Sequence, residues 1–294
     1  MKCIYKLKSL YNIDNFICSK IRKFCSIALF SEERVIQRYI NRKYKRYVNE
    51  YHYPTQFNDG KNIWIFWWQG EKQMPKIVST CYNSICKNKG NYQVILLDKN
   101  NYTKYVNIPP YILEKFNKGN ITITHFSDIL RFNLLDKYGG WWLDATIYLS
   151  KPITNLKTLY TIKMPYTSQY ISHARWSGFL WYMPQYHPLA SFVKDCLHMY
   201  WKEKDQLIAY FLIDHFINLF YNYSSKFKKE INNISIDNKK LYFFQESDSL
   251  LPYCEREWEE IVKNNQFFKC NWKFKLQETD RQDTYFHKIL VHSI

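Results

Sequence analysis

The sequence predicts an α/β fold centred on a parallel sheet, and three stretches carry that prediction. Asn62 to Trp68, NIWIFWW, is a short and almost wholly apolar run bounded by Gln69 and Gly70, which is the texture of a central strand buried on both faces. Behind Pro75, the residues Ile77, Val78, Cys81, Tyr82, Ile85 and Cys86 recur at helical spacing and stop before Gly90; Tyr92 to Leu97 is then a second apolar strand of the same kind. In the third stretch, Thr124 to Ile153, a helical stripe of Phe126, Ile129, Leu130, Leu134, Leu135 and Tyr138 meets Gly139, and Trp141 to Leu149 resumes as a strand. Strand, helix, strand at this spacing implies a parallel crossover, and the ligands of such sheets sit beyond the carboxyl ends of the strands.

The chain divides into three regions. Residues 1–60 hold twelve Lys and Arg against five Asp and Glu. Within them, Val35, Ile36, Tyr39, Ile40, Tyr44, Tyr47, Val48 and Tyr51 repeat at helical spacing opposite Arg38, Arg42, Lys45 and Arg46. This basic amphipathic helix, residues 31–51, suits either an anionic membrane surface or packing on the main domain with its basic face solvated. Residues 61–185 form the α/β core. It carries the Pro109–Pro110 pair in a loop-rich link and, after Pro152, two more strand-like pieces, Leu159 to Met164 and Phe179 to Met183. Residues 186–294 are a mainly helical C-terminal region. Helices are expected over Leu189 to Trp201, over Gln206 to Tyr221, which is apolar nearly all round except for Asp214 and His215, and over Glu255 to Lys263; Leu241 to Phe244 reads as a strand.

Composition narrows the function. The 294 residues are 46% hydrophobic, enough for a buried core, and the net charge of +16 favours anionic partners. No run is long enough to span a membrane; Phe24 to Phe30 is the longest apolar candidate near the start and makes a poor secretory signal, so the protein is expected in the cytoplasm. The eight Cys show no CxxC pair and no zinc-type spacing, which argues for reduced, packed thiols. There is no GxGxxG, no GxxxxGK[ST] and no GxSxG, which removes the usual dinucleotide, P-loop and hydrolase signals. Nucleic-acid binding rests on charge alone, without a recognised module, and is not expected.

The candidate chemistry gathers around the third stretch. Asp128 and Arg131 are three apart, so they share a helix face near a first turn that Thr124 or Ser127 is placed to cap. On a continuous strand, Asp144, Thr146 and Tyr148 point to one side, and a carboxylate there is expensive to bury without a partner. Together these parts suit a nucleotide-sugar: an aromatic for the base, carboxylates for ribose and sugar hydroxyls, and an arginine or metal for the diphosphate. Trp64 and Trp67 are the stacking candidates, against the competing reading of core packing. Asp214 and His215 are either an acid–base or acceptor contact or an internally satisfied pair, and Glu246 is a secondary acceptor-side candidate that follows the last expected strand.

NIWIFWWQG, PKIVSTCYNS and HFSDILRFNLLDKYGGWWLDATIYLSKPI, in that order, resemble the capsular polysaccharide synthesis proteins, which are similar to the wider set of DXD sugar transferases. The resemblance covers roughly Lys61 to Ile153. It implies a GT-A nucleotide-diphospho-sugar transferase fold with helical N- and C-terminal additions, and transfer of a hexose-type sugar onto an oligosaccharide or lipid-linked glycan at the inner face of a bacterial plasma membrane. Carried over by position, Trp64 or Trp67 stacks on the donor base, Asp128 and Arg131 hold ribose and sugar, and Asp144 takes the first Asp position of DXD. Thr146 stands where most such enzymes have the second, metal-binding Asp. A divalent cation, Mn²⁺ or Mg²⁺, is thus implied with Asp144 as its ligand, and Thr146 offers only a neutral oxygen. The same departure supports the alternative of a catalytically inactive sugar-binding or scaffold protein on this fold.

Overall fold

The computed structural model describes residues 32–166, 168, 170–273 and 282–291. The apolar run Phe24 to Phe30 and the rest of residues 1–31 lie outside them. The main sheet has four strands. Its centre is β1 (Asn62–Phe66), which pairs in parallel with β2 (Gln93–Leu97) on one side and β3 (Gly140–Leu143) on the other. Helix α2, Lys76–Asn88, makes the crossover from β1 to β2. β2 is an edge strand and only Leu97 in it is fully buried, so it is not of the same kind as β1.

Period-two alternation assigns the faces of β1. Ile63 and Ile65 join Trp141, Leu143, Val78 and Ile85 in one core; Trp64 and Phe66 join Trp142 and the helices in the other. That second core is built by α4 (Ile123–Tyr138), which follows the short α3 (Pro110–Asn117), together with α5 (Pro188–Glu203) and α6 (Leu212–Tyr223). Two glycines permit the turn from α4 into β3. Gly139 takes φ +62° at the helix end, and a Cβ on Gly140 would sit 2.3 Å from the Asn62 carbonyl oxygen, so β3 can approach β1 only without a side chain there.

The amphipathic segment is helical over residues 32–44 (α1) and continues as a 3₁₀ turn, Lys45–Glu50. Its apolar face is occupied. Ile36, Ile40, Tyr44 and Val48 are buried in the α4–α5–α6 core, and Tyr44 meets Phe216 edge-on at 5.1 Å. This corrects the reading in which the apolar face of residues 31–51 enters a bilayer, since most of that face is inside the protein and only Val35 of it is exposed; what faces outward is the basic side, Arg34, Arg38, Arg42, Lys45 and Arg46. Among the described residues no helix is long and apolar enough to cross a membrane.

Four further expectations change. Trp141 to Leu149 is not one strand: the chain turns at Asp144, whose carbonyl accepts from Ile147 N at 2.9 Å, and β4 (Ile147–Leu149) leaves the main sheet. β4 pairs antiparallel with β6 (Phe267–Lys269), a strand far along the chain that follows α7 (Ser225–Asn233) and α8 (Glu255–Asn264). Of the two pieces after Pro152, Phe179 to Met183 gives β5 (Leu180–Met183), antiparallel to β3, whereas Leu159 to Met164 makes only the bridge Tyr160–Tyr182. Leu241 to Phe244 lies where a 3₁₀ turn forms (Phe243–Gln245), and α6 starts at Leu212, not Gln206.

Candidate active site

The carboxyl ends of β1 and β3 and the amino end of the antiparallel β5 lie on one edge of the sheet, and a cleft of about 960 Å³ opens there. Trp67 and Trp68 leave β1 into it, Asp144 leaves β3, and Gly178 and Phe179 precede β5. The first half of α4 forms one wall, capped by Thr122, whose hydroxyl accepts from His125 N at 3.2 Å; Thr124 and Ser127 are not the cap, because the helix begins one residue before Thr124. The start of α6 and residues 269–273 complete the cleft.

Polar side chains run through the cleft as a connected line. Trp201 Nε1–H, which can only donate, hydrogen-bonds to His125 Nε2 at 2.8 Å, so the neutral ring carries its own proton on Nδ1, 3.4 Å from Asp128 Oδ2. Asp128 Oδ1 lies 2.9 Å from Arg131 Nη1, and Arg131 Nη2 donates to Asp144 Oδ1 at 3.2 Å, with the guanidinium over the Trp142 ring. Trp142 Nε1 donates to the same Asp144 oxygen at 2.9 Å. Lys269 Nζ donates to Asp144 Oδ2 at 3.0 Å and to Thr146 Oγ1 at 2.7 Å. Burial opposes the charge on Asp144, but Lys269 and Arg131 outweigh it, holding the carboxyl below its ordinary range. Thr146 and Asp144 therefore meet through Lys269 and not by sharing a strand face.

Asp214 approaches from the first turn of α6. Its Oδ1 accepts from Trp176 Nε1 at 2.8 Å and lies 3.7 Å from where a Cβ on Gly178 would stand, with Arg131 Nη1 4.0 Å from the same point. Burial pushes its carboxyl up to about 7; Asp128 and Glu33 add to that, while Trp176 and Arg131 oppose it. At the cleft mouth Trp67 meets Trp272 edge-on at 5.6 Å, and its Nε1 is 3.4 Å from the Gln73 carbonyl.

Of the residues picked from sequence, the structure brings together Trp67, Asp128, Arg131, Asp144, Thr146 and Asp214. It removes three. Trp64 points into the helical core with no exposed surface, and its Nε1 donates to the Gly139 carbonyl at 3.0 Å, so it has no face to offer a base. Trp64→Ala should accordingly cost about 3–5 kcal/mol of stability, read by urea unfolding, as large-to-small changes in packed cores do. His215 turns away from the cleft: Nδ1 meets Gln37 Oε1 of α1 at 2.9 Å, and burial lowers its titration to about 4. Glu246 is exposed and outside the cleft, because the expected strand before it is a 3₁₀ turn. Lys269, Trp176, Trp272 and His125 join the cleft or its polar line without standing out in the sequence. His125 carries a local signal, three residues before Asp128 on the same helix; Lys269 lies 125 residues from Asp144 and carries none.

The implied divalent cation can be set against these donors. Mn²⁺ or Mg²⁺ takes several oxygens, from carboxylates and waters. Here one carboxylate is offered, both of its oxygens already accept from cationic or N–H donors, and the Thr146 hydroxyl accepts from Lys269. No cluster of three or more His, Cys, Asp or Glu able to hold a metal occurs among the described residues. As arranged, the donor set does not fit a divalent ion at Asp144.

Fold and site together define an α/β protein with a polar, aromatic-rimmed cleft across the carboxyl ends of its parallel strands. The chain belongs to the capsular polysaccharide synthesis protein family, whose family model matches residues 19–289. It is similar to the O-glycosyltransferase PaGT of Phomopsis amygdali, 31% identical over 107 residues that make up 33% of this chain and 26% of that protein. A like match, 31% over 106 residues, is to the O-glycosyltransferase braB of Annulohypoxylon truncatum, covering 33% of this chain and 25% of that one. The chain thus spans about a quarter of the length of these relatives. Among solved structures, the PaToxG glycosyltransferase aligns at a TM-score of 0.42 with 16% identity, covering 81% of this chain and 94% of that one.

Proposed function

We propose that the protein is a glycosyltransferase of the GT-A type that moves a sugar from a nucleotide-diphospho-sugar to an oligosaccharide or lipid-linked acceptor of a surface glycan. The observation that carries this reading is the line Asp128–Arg131–Asp144 at the strand ends, flanked by Trp67 and Trp272. Its parts match the parts of such a donor: an aromatic rim for the base, paired carboxylates for ribose and sugar hydroxyls, and a guanidinium for developing phosphate charge. Family membership and the two O-glycosyltransferase relatives point the same way. Asp214, opposite this line and titrating near neutrality, is suited to take a proton from an acceptor hydroxyl.

The test is thermal unfolding of the whole chain across a panel of nucleotide-sugars. A true donor at a hundredfold excess over its Kd stabilises the folded state by about 2.7 kcal/mol, and the others should leave the midpoint unmoved. No shift with any donor would overturn the proposal. The second reading, a binding or scaffold protein without turnover, is favoured by Thr146 in the place of a second Asp. It predicts a shift with one donor and neither hydrolysis nor transfer of its sugar.

A further inference from the structure

A donor diphosphate needs positive charge beside it as the bond to the sugar breaks, and the usual source on folds of this kind is a metal held by acidic side chains. The arrangement at Asp144 is of another sort. Lys269 Nζ lies between the two oxygens that such a metal would be offered, 3.0 Å from Asp144 Oδ2 and 2.7 Å from Thr146 Oγ1. Arg131 adds a second positive charge on the other carboxylate oxygen. A divalent ion entering here would meet two cations and one shared carboxylate.

We propose that the Lys269 ammonium is the built-in cation of the diphosphate subsite, taking the position that a divalent metal holds elsewhere, so that donor binding by this chain is independent of metal. The inference rests on the glycosyltransferase reading and deepens it. Three features fit the role. Lys269 is fixed by backbone: it closes the β4–β6 pair opposite Ile147, its N–H donates to the Leu241 carbonyl at 2.6 Å, and the next N–H, of Cys270, donates to the Thr146 carbonyl at 2.8 Å. An ammonium has three N–H donors, of which Asp144 and Thr146 take two, leaving one for a phosphate oxygen. The side chain is 18% exposed, lines the cleft and rests over the Phe179 ring at 4.6 Å, so it is shielded yet reachable. Thr146 is then explained as well: a second Asp would place two carboxylates on one ammonium, whereas a hydroxyl orients it without cancelling its charge.

The experiment titrates the full chain by isothermal calorimetry with UDP, GDP, CDP and ADP and with the matching nucleosides, in EDTA and in Mn²⁺. The expected result is that one diphosphate binds with the same affinity, within about twofold, in both. Lys269→Gln should weaken that diphosphate about tenfold or more, the size of a lost charge-assisted hydrogen bond, and leave the nucleoside unchanged; Lys269→Arg should retain most of the affinity. Binding that appears only with Mn²⁺ overturns the inference and leaves the glycosyltransferase reading standing, as does a Lys269→Gln effect that is equal for diphosphate and nucleoside or absent from both. If no diphosphate binds under either condition, the glycosyltransferase reading falls and the inference with it. The EDTA comparison uses the unaltered protein and decides the matter even if Lys269→Gln does not fold.

Discussion

Asp144→Asn should lower sugar transfer, and donor hydrolysis with it, by at least about 10²-fold, the scale on which loss of one preorganised electrostatic group acts in an active site. Asp144 is where two cations of the cleft, Arg131 and Lys269, meet: Arg131 and Trp142 on one oxygen, Lys269 on the other. An amide of the same shape has one accepting oxygen in place of two and turns an NH₂ group toward one of the cations. Whichever cation meets the NH₂ group loses this partner, Arg131 falling back on Asp128 or Lys269 on the Thr146 hydroxyl, and the pair is no longer held together in the geometry that aims it into the cleft. The same change should destabilise the fold by about 1–3 kcal/mol, less than a fully buried pair would lose, because the side chain is 28% exposed. The pH dependence follows from the direction of the shift. Asp144 is held below its ordinary value of 3.8, so its contribution is complete above that value and fades as pH falls through the lower folded value. The stability gap between wild type and Asp144→Asn should therefore be full at pH 7 and close in acid. Transfer that survives the substitution would remove Asp144 from the site.

What the sequence made legible was what short-range spacing controls. Asp128 and Arg131 pair because residues three apart share a helix face, and the Gly139–Gly140 break places the next strand end, with its Asp144, at the same edge. Two kinds of information were out of reach. One is where a strand stops. Trp64 and Trp67 sit in the same apolar run, but β1 ends at Phe66; Trp64 faces the helical core by period-two parity, and Trp67 has left the strand and is free of it. In the same way, no Gly or Pro marks the turn at Asp144. The chain bends there because β4 finds its partner in β6, more than a hundred residues away. The other is the identity of distant partners. Lys269 belongs to a three-residue strand in a stretch without clear periodicity, and Trp176 precedes β5 by a few residues, yet the first holds Asp144 ionised and the second supplies the hydrogen bond that opposes the upward shift of Asp214. The amphipathic pattern of α1 shows the same limit from another side: it states that one face must be covered, and only the fold states that α5 and α6 cover it.

Asp214→Asn should raise stability and lower rate at pH 8. Burial is the first cause of the upward shift of Asp214, from 3.8 to about 7, so between roughly pH 4 and pH 7 the folded chain binds a proton that the unfolded chain has released. Stability from this group falls as pH rises through that window, and above it the whole cost of a buried charge is present. At about 1.4 kcal/mol per pH unit, the cost across that window amounts to a few kcal/mol. Asparagine still accepts from Trp176 Nε1 and never ionises, so the variant should unfold several degrees higher at pH 8 and at the wild-type temperature near pH 4. His215 works in the opposite sense, since its lowered value makes the fold less stable as pH drops below the ordinary histidine range, but it is common to both proteins and cancels in the comparison. The rate carries the second half of the prediction. If Asp214 takes the proton of the acceptor hydroxyl, transfer by the wild type rises with pH through about 7, and the variant is flat there and about 10²- to 10⁴-fold slower. A pH–rate limb that persists in Asp214→Asn would assign the base elsewhere, and a variant no more stable at pH 8 would refute the burial cost. A carboxylate that weakens the fold at working pH, where a neutral replacement of the same shape would not, is the signature expected of a group placed for chemistry; the two measurements, stability and rate, separate that cost from that use.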